Sequence, residues 1–490
     1  MCSGSAILWT NYLYRELPGF KSSDQIYALD YTFGGQDSQF DHILTYSYDK
    51  LGNIATISKN SQQTAGYTYD EAGQLTRVND ALQNKTIAYT YDVGGNIREK
   101  SEYAYTTGAL GSPTNTITYT YGDANWKDKL TAYNGITINY DGAGNPTSHN
   151  GCSYTWECRR LKLANNGIVA VSFKYDDNDI RTQKTVGSTT TDFTTVGGRI
   201  TSQTTNAQTT YFRYDESGNL ISLNWDGAEY FYVLNIQGDV IFLLDEQGNV
   251  VVEYTYDAWG APLSVTGSMA ATLGAANPFR YRSYYWDSET GLYYLMSRYY
   301  NPEWGRFINA DDANTLYLTA DKIGGSNLFS YCLNNPINDY DLTGYGPYKL
   351  YKSIDEVAKD FARTYFQQSQ KADREYGAYV YCVGIRMSAW IIIGMYFYPN
   401  IIKGTHNNVL AGVALGYLPK ISFSGIVGLT PIAFLHTHPE CKCCNWRVFS
   451  GADKGLTWLP KINYVYAALP NGILLRIGKY GTGFTDRLRY

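Results

Sequence analysis

Two histidines near the C-terminal end of the chain carry the clearest chemical signal in the sequence. His436 and His438 are two of only five histidines in 490 residues, and they directly follow the apolar run 430–435. Residues i and i+2 of a strand point to the same side, so both imidazoles are expected on one face at a strand end. Imidazole is a preferred zinc ligand, and Asp453, in a Ser-x-x-Asp sequence that begins at Ser450, adds an oxygen ligand. Two histidines, an aspartate and a water would form an open catalytic zinc site.

The insert between the histidine pair and the Ser-x-x-Asp sequence offers a second way to bind zinc. It contains Cys441, Cys443 and Cys444. Thiolates bind zinc tightly and close its coordination sphere, so the histidine pair with Cys441 and Cys444 would form a structural site. A zinc deaminase is a weaker alternative, because Cys-x-x-Cys spacing is present but no His-x-Glu precedes it. The open hydrolase site is preferred over both alternatives.

These side chains need a small domain that mixes helix and strand. Ser353-Ile-Asp-Glu356 is a capping box that begins an amphipathic helix. The segments 375–381, 391–398 and 430–435 are apolar runs of strand length, and the last leads into the histidine pair. A helix followed by these strands predicts a small α/β domain.

The preceding part of the chain repeats a tyrosine-rich unit. Three clear copies read Tyr-x-Tyr-Asp and then, three residues after the aspartate, Gly-Asn or Gly-Gln; weaker copies follow, and the aspartates are Asp49, Asp70, Asp92, Asp141, Asp176, Asp215 and Asp257. The Tyr-x-Tyr alternation puts both rings on one face of a strand, and the Asp and Gly positions supply a turn. One unit cannot bury its own face, so neighbouring units must stack. The repeats therefore predict an array of hairpins or a meander, in preference to a fibrous low-complexity segment.

The composition agrees with a mainly β chain and weighs against several functions. The chain has 48 tyrosines and 47 glycines but only 17% charged residues, a balance that suits pleated strands and turns. A net charge of −5 offers no basic patch for phosphate, so nucleic acid is not expected as a partner. The eight cysteines are too scattered for a disulfide framework. Neither a Sec signal nor a transmembrane segment is recognised, so a non-Sec export route is expected.

The repeats resemble the YD repeats of Rhs proteins and of the shell components of insecticidal toxin complexes, in which they wind into a hollow β-cocoon around a C-terminal toxin. Residues 278–311, with Arg298-Tyr-Tyr-Asn-Pro, and residues 327–344, which end in Asp341-Leu-Thr-Gly344, resemble the Rhs-associated core. In that family a variable effector domain follows the core.

The resemblance implies a mainly β chain, with a YD-repeat β-shell of stacked hairpins, followed by a small α/β domain. We expect the shell over 1–276, the Rhs-associated core over 277–345 and an effector domain over 346–490. Family shells are usually much longer, which leaves a truncated member as one interpretation of this chain.

In some family members the core is an aspartyl-type self-protease that cuts just after the final glycine-containing turn. The resemblance makes Arg298 and Asp311 candidates for self-cleavage here. Paired carboxylates can do this chemistry if one is held protonated, since like charges in contact split their pKa values. Asn301 replaces the family's aspartate and Leu342 its proline. These departures leave a turn-forming and packing role as an equal interpretation.

The order of Glu375, His436-x-His438-Pro and Ser450-x-x-Asp453 resembles the JAMM motif of JAB/MPN metallopeptidases, and a JAB-like family that ends many Rhs proteins. The resemblance implies that the two histidines and the aspartate bind Zn²⁺, that Glu375 is the general base and that Ser450 stabilises the oxyanion. Zinc would lower the pKa of its water toward ~7. Eleven residues separate His438 from Ser450, more than the roughly seven typical of JAMM peptidases.

These resemblances together imply a polymorphic toxin of bacterial competition. The shell would carry a zinc-dependent peptidase or isopeptidase that cuts a protein or peptide in a target cell, and an immunity protein would neutralise it. The protein would be secreted or lie at the cell surface. The alternative is a surface- or wall-associated binding protein, whose aromatic array contacts carbohydrate and whose tail is inert or holds a structural zinc.

Overall fold

The computed structural model describes residues 9–14, 26–32, 42–311 apart from 197, 216 and 217, 326–341 and 343–344, and seven strands in the C-terminal part. The chain divides into two units. One contains residues 1–316 and 322–347, and the other contains residues 317–321 and 348–490. The domain boundaries expected from the sequence stay a prediction.

Strands β1 to β24 of the first unit form one antiparallel meander, in which each strand pairs with the next along the chain. Their bounds are β1 Trp9–Tyr14, β2 Ile26–Thr32, β3 His42–Tyr48, β4 Ile54–Lys59, β5 Gln62–Tyr69, β6 Leu75–Asp80, β7 Lys85–Tyr91, β8 Ile97–Ala104, β9 Asn115–Thr120, β10 Ala132–Tyr133, β11 Ile136–Tyr140, β12 Pro146–His149, β13 Cys152–Glu157, β14 Arg160–Asn165, β15 Ala170–Tyr175, β16 Arg181–Val186, β17 Thr189–Val196, β18 Arg199–Thr205, β19 Gln208–Tyr214, β20 Leu220–Trp225, β21 Ala228–Leu234, β22 Val240–Leu244, β23 Val250–Tyr256 and β24 Pro262–Thr266. The mainly β prediction is confirmed.

The third clear repeat shows why the unit folds as predicted. Tyr89 is buried and Tyr91 half-buried, while Thr90 between them is exposed. The Asp92 carboxylate then organises the turn: Oδ1 accepts the N–H groups of Gly94 and Asn96 at 2.9 and 3.0 Å, and Oδ2 accepts the Asn96 side-chain amide at 3.0 Å. The next-to-last residue of the turn, Gly95, has φ 75°, which suits glycine. An inward Tyr-x-Tyr pair and a carboxylate-capped turn therefore make one repeat.

In several repeats a tyrosine hydroxyl forms a hydrogen bond with the repeat before it. The Tyr91 hydroxyl donates to the Leu75 carbonyl at 2.5 Å, the Tyr214 hydroxyl to that of Ile200 at 2.8 Å, and the Tyr256 hydroxyl to that of Val240 at 2.8 Å. In each case the acceptor lies at or next to the start of the strand that follows the preceding turn. The second tyrosine of the motif thus contributes a specific hydrogen bond between repeats as well as an apolar ring.

The meander curls, because early strands contact late ones. Lys59 on β4 forms an ion pair with Glu253 on β23 at 2.7 Å, and the Tyr31 hydroxyl on β2 donates to the Leu234 carbonyl at 2.8 Å. One continuous hydrophobic cluster extends from Leu29 to Ile337.

The segment that follows the meander, residues 277–344, is called the junction below. Its four short strands form a separate antiparallel sheet that packs into the same hydrophobic cluster. The strands are β25 Tyr285–Asp287, β26 Leu292–Leu295, β27 Arg298–Asn301 and β28 Arg306–Phe307. Among the described residues of this unit, the short helical turns are Ala270–Gly274, Tyr281–Ser283 and Cys332–Asn334. The fully buried Arg181 of β16 pairs with Asp287 of β25 at 2.5 Å and so fastens the meander to the junction sheet.

The second unit contains a seven-stranded sheet. Its strands are β29 Tyr376–Met387, β30 Ile391–Phe397, β31 Ile402–Lys403, β32 Thr430–Thr437, β33 Tyr464–Ala468, β34 Ile473–Gly478 and β35 Asp486–Arg489. The order is β30-β29-β32-β33-β34-β35, with β31 paired to β29; only β32 and β33 are parallel. The helix predicted to begin at Ser353 lies outside the described residues, so the α/β class stays a prediction.

Candidate active site

Arg298, the first residue of β27, is the centre of a buried charged cluster. Its guanidinium Nη2 lies 3.0 Å from Oδ2 of Asp311 and 3.1 Å from Oδ2 of Asp341. The three side chains are 1%, 5% and 0% exposed. The structure therefore brings together the two residues proposed from the sequence, Arg298 and Asp311, and adds Asp341 to them.

Burial makes this cluster costly unless every charge is paired. Isolated buried charges lose several kcal/mol of hydration, which pairing and hydrogen bonding must offset. Arg298 satisfies this condition: besides the two carboxylates, Nη1 donates to the Leu328 carbonyl at 3.1 Å, and the guanidinium lies 3.5 Å from the centre of the Phe307 ring. Arg298 thus pairs with both buried carboxylates and also donates to a backbone carbonyl.

Asp341 also organises the last described turn. Its Oδ1 accepts the backbone N–H of Gly344 at 2.8 Å and that of Thr343 at 3.3 Å. Its own N–H donates to the Tyr284 hydroxyl at 2.8 Å. Burial raises the pKa of Tyr284 well above its usual value, so this phenol stays neutral. The Asp341 carboxylate is thus fixed by the backbone N–H groups of Thr343 and Gly344.

One contact of Arg298 could contribute to catalysis. Its Nε donates a hydrogen bond to the carbonyl oxygen of Gly344. A cation on a carbonyl oxygen stabilises the negative charge that develops when a nucleophile adds to the carbonyl carbon. A nearby carboxylate can take the proton from an attacking water. The arrangement is suited to activation of the Gly344 carbonyl toward attack by water.

Asn301, where the sequence departs from the related aspartate, has a turn-forming role. Its Oδ1 accepts the N–H groups of Glu303 at 2.9 Å and Trp304 at 3.1 Å. An asparagine provides the same acceptor as an aspartate for this turn. The change does not touch the contacts of Arg298, and Leu342, the second departure, lies outside the described residues.

The zinc site expected from the sequence falls almost wholly outside the described residues. Glu375, His438, Ser450 and Asp453 are not described, and neither are Cys441 and Cys444; His436 is placed as a backbone position on β32. In the described part of the chain no group of three or more His, Cys, Asp or Glu side chains could hold a metal ion. The zinc ligands therefore stay a prediction.

The backbone pairing of β29 with β32 bears on the predicted zinc site. Gly377 of β29 is the register partner of His436 of β32 in an antiparallel pair. Glu375 precedes β29 and His438 follows β32 in the chain. The start of one strand and the end of the other thus share one edge of the sheet, where the expected base and the expected ligands need to meet.

A cavity of about 360 Å³ lies between β16–β18 and residues 275–289, and the ion pair of Lys184 with Glu289 lines it. None of the candidate catalytic or metal-binding residues named from the sequence lines this cavity. Over the described ranges, no helix is both long and apolar enough to span a bilayer.

Comparison with known proteins agrees with the meander. Residues 21–337 match the family model described as Teneurin YD-shell. A tRNA3(Ser)-specific nuclease WapA from Bacillus spizizenii is 35% identical over 274 residues, which cover 53% of this chain and 11% of that protein. A double-stranded DNA deaminase toxin A from Burkholderia cenocepacia is 23% identical over 353 residues, 62% of this chain and 23% of that protein.

A solved structure has the same fold. The crystal structure of TcdB2-TccC3-Cdc42 superposes with a TM-score of 0.53 at 19% identity, over 68% of this chain and 18% of that one. The chain thus spans a quarter or less of each of these relatives.

Proposed function

Because the chain belongs to the teneurin YD-shell family, we propose that it is the shell and effector part of a polymorphic toxin. The meander carries a C-terminal enzymatic unit, and the junction releases that unit by cutting the chain after Gly344. The observation that carries the proposal is the Arg298 cluster, in which a guanidinium shared by two buried carboxylates also holds the Gly344 carbonyl.

The proposed cleavage is a hydrolysis of the peptide bond that follows Gly344. Asp311, whose carboxylate lies 3.0 Å from the Arg298 guanidinium, accepts a proton from a water. The water oxygen adds to the Gly344 carbonyl carbon, and Arg298 stabilises the negative charge on the carbonyl oxygen. The C–N bond then breaks, and the proton passes to the nitrogen of Tyr345. The products are a carboxylate at Gly344 and a new amino terminus at Tyr345.

For the C-terminal unit we propose a JAMM-like zinc hydrolase that cuts a peptide or isopeptide bond. His436, His438 and Asp453 would hold Zn²⁺, which supplies Lewis acidity and a nucleophilic water at neutral pH. Glu375 would take the proton from that water, and Ser450 would donate to the substrate oxygen. The register of Gly377 with His436 supports this assignment, because it places the two strand ends at one edge.

The names of two relatives support a second class of effector. One relative is a tRNA nuclease and the other a DNA deaminase toxin. Net charge alone therefore does not exclude a nucleic-acid target for the C-terminal unit. In either class we propose export, action in a target cell and neutralisation by a cognate immunity protein.

The full chain with matched variants separates these proposals. Purified wild type should contain about one zinc ion per chain. His436→Ala and Asp453→Asn should lose the zinc, Glu375→Gln should keep it, and all three should lose toxicity on expression. His406→Ala is the matched control, because it removes a histidine outside the proposed site.

Other outcomes favour other functions. A metal-free chain whose three variants are as toxic as wild type overturns the zinc hydrolase, and degraded or deaminated nucleic acid in the intoxicated cells then identifies the second class. Zinc that persists in Asp453→Asn but is lost when Cys441 and Cys444 are replaced indicates the structural site. A harmless, metal-free chain favours the surface- or wall-associated binding protein.

A further inference from the structure

We propose that Lys184 and Asp287 become joined by an intramolecular isopeptide bond, and that Glu289 catalyses its formation. The bond links strand β16 of the meander covalently to strand β25 of the junction sheet. It is independent of the proposed cleavage and of the proposed effector, because its three residues lie together in the first unit.

The Lys184 ammonium lies between two carboxylates. Its Nζ is 3.2 Å from Oδ1 of Asp287, and 3.2 and 3.1 Å from Oε1 and Oε2 of Glu289. Groups held about 3–3.5 Å apart are near the geometry from which a bond forms. Lys184 therefore has one carboxyl group to attack and a second one to take its proton.

The two carboxylates differ in burial, and this difference assigns their roles. The Asp287 side chain is 0% exposed, whereas that of Glu289 is 24% exposed. Asp287 is also fixed by Arg181, whose Nη1 donates to Oδ2 at 2.5 Å. A fixed carboxyl group away from water is suited to condensation, and a partly solvated carboxylate is suited to gaining and losing a proton. Asp287 is therefore the partner in the bond, and Glu289 is the acid and base.

The resting cluster is an ion pair in aromatic surroundings. The Lys184 Nζ lies 5.5 Å from the centre of the Tyr285 ring, and the Arg181 guanidinium lies 4.6 Å from the same centre. Burial by itself lowers the pKa of Lys184, but the Tyr285 hydroxyl and the two carboxylates raise it more, so the resting side chain is an ammonium. The free amine therefore forms only by proton transfer within the cluster, which makes the reaction slow and dependent on Glu289.

The reaction is a condensation that releases one water. Glu289 takes a proton from the Lys184 ammonium, and the free Nζ adds to Cγ of Asp287. Arg181 stabilises the negative charge on Oδ2. Glu289 carries two of the three ammonium protons, in turn, to Oδ1, which leaves as water when its bond to Cγ breaks. The products are an amide between Nζ and Cγ, a water and the original Glu289 carboxylate, and no further reactant is needed.

The position of the cluster also favours the amide once it has formed. Lys184, Tyr285 and Glu289 line the cavity of about 360 Å³ beside β16–β18, so the released water has space to leave the reacting groups. Groups fixed in this way can act as if present at an effective concentration on the order of 10⁵ M or more. Condensation that is unfavourable between free groups in water is therefore favoured here.

The test is the mass of the purified full chain, measured intact and after digestion with trypsin. Wild type should be lighter than its sequence by the mass of one water, and its digest should contain residues 182–199 joined to residues 283–298. Lys184 and Asp287 both precede Gly344. The deficit is therefore read equally well on an uncut chain and on a fragment that ends at Gly344, so failure of the proposed cleavage does not affect the test.

Two variants and a matched control test the assigned roles. Lys184→Arg keeps the charge but removes the nucleophile, and it should have the full mass. Glu289→Gln keeps the size but removes the proton acceptor, and it should slow the cross-link of newly synthesised chain about 100-fold or more. Lys162→Arg is the control, because Lys162 pairs with Glu157 at 3.2 Å on the exposed surface. Its mass deficit should equal that of wild type.

Three results would overturn the isopeptide bond or its catalysis. The first is a wild type of full mass, after prolonged incubation at neutral pH, whose digest lacks the joined peptide. The second is a mass deficit confined to residues 283–298, which indicates a cyclised Asp287 without Lys184. The third is a Glu289→Gln variant that becomes cross-linked as fast as wild type.

Discussion

Asn334 donates through its side-chain amide to Oε1 of Gln74 at 2.8 Å, and so joins the end of the junction to a repeat turn 260 residues earlier. The same amide donates to the Gly95 carbonyl at 2.7 Å. Two neighbours repeat the relationship: Asn335 donates to Asn53 at 3.2 Å, and Asn327 to Asn96 at 2.8 Å.

The three side-chain acceptors, Asn53, Gln74 and Asn96, are the final residues of three successive repeat turns. The Asn or Gln of the repeat therefore has two roles, because it caps its own turn and also receives the segment that leads to Gly344. The segment before the proposed cut is thus held directly by the shell.

Replacing Asn334 by Ala should destabilise the first unit by about 1–3 kcal/mol, because Gln74 and the Gly95 carbonyl would be left buried without this donor. The free energy of unfolding in urea measures the effect. Asn178→Ala, at an exposed turn position, should change it by less than about 0.5 kcal/mol. A double-mutant cycle with Gln74→Ala that gives no coupling would contradict the direct contact.

The contribution of each tyrosine hydroxyl hydrogen bond to the stability of the first unit should be measurable separately. Tyr214→Phe keeps the ring and removes the donor to the Ile200 carbonyl, so we expect a loss of about 0.5–1.5 kcal/mol. Tyr211→Phe on the same strand is the control, since that side chain is 53% exposed. Equal stabilities of the two variants would show that the second tyrosine contributes only its ring.

Alkaline pH should unfold the first unit cooperatively. Burial raises the pKa of Tyr48, Tyr121 and Tyr299 to about 12. In the unfolded chain a tyrosine ionises near pH ~10, so the folded state binds these protons more tightly. The stability that they contribute is complete below that pH and is lost as the pH rises from about 10 to about 12.

Tyrosinate absorbance and circular dichroism followed together in one alkaline titration measure this effect. Ionisation of most tyrosines near pH ~10, with the strand signal unchanged, would contradict the burial of the rings.

Arg298→Lys should abolish cleavage although it keeps the charge. A lysine ammonium has three donors on one atom and cannot reproduce the planar fork that contacts two carboxylates and two carbonyls. Intact mass after prolonged incubation measures the outcome. Arg213→Lys, at an exposed ion pair, is the matched control and should cleave as wild type does. Cleavage of Arg298→Lys at the wild-type rate would exclude the two-carbonyl role of the guanidinium.

The repeats could be predicted because their signal is local. Tyr-x-Tyr alternation and the Asp-to-Gly turn are read within about ten residues, and the structure confirms both at Tyr89 to Asn96. The contacts that define the site are not local. Asp341 joins Arg298 across 43 residues, and Asn335 meets Asn53 across 282.

Such contacts depend on how the meander curls, which no short motif encodes. Asn301, where the sequence departs from the family, accepts two N–H groups of its own turn. The zinc ligands stay a prediction, because all of them except the backbone of His436 lie outside the described residues.

The measurement that tests the central claim most directly is the intact mass and N-terminal sequence of the purified full chain, beside its Asp311→Asn variant. Self-cleavage predicts a fragment that ends at Gly344 and a second fragment that begins at Tyr345, and only an uncut chain of 490 residues for the variant. A wild type that remains one uncut chain after prolonged incubation at neutral pH, or a variant cut just as fully at the same bond, would contradict it.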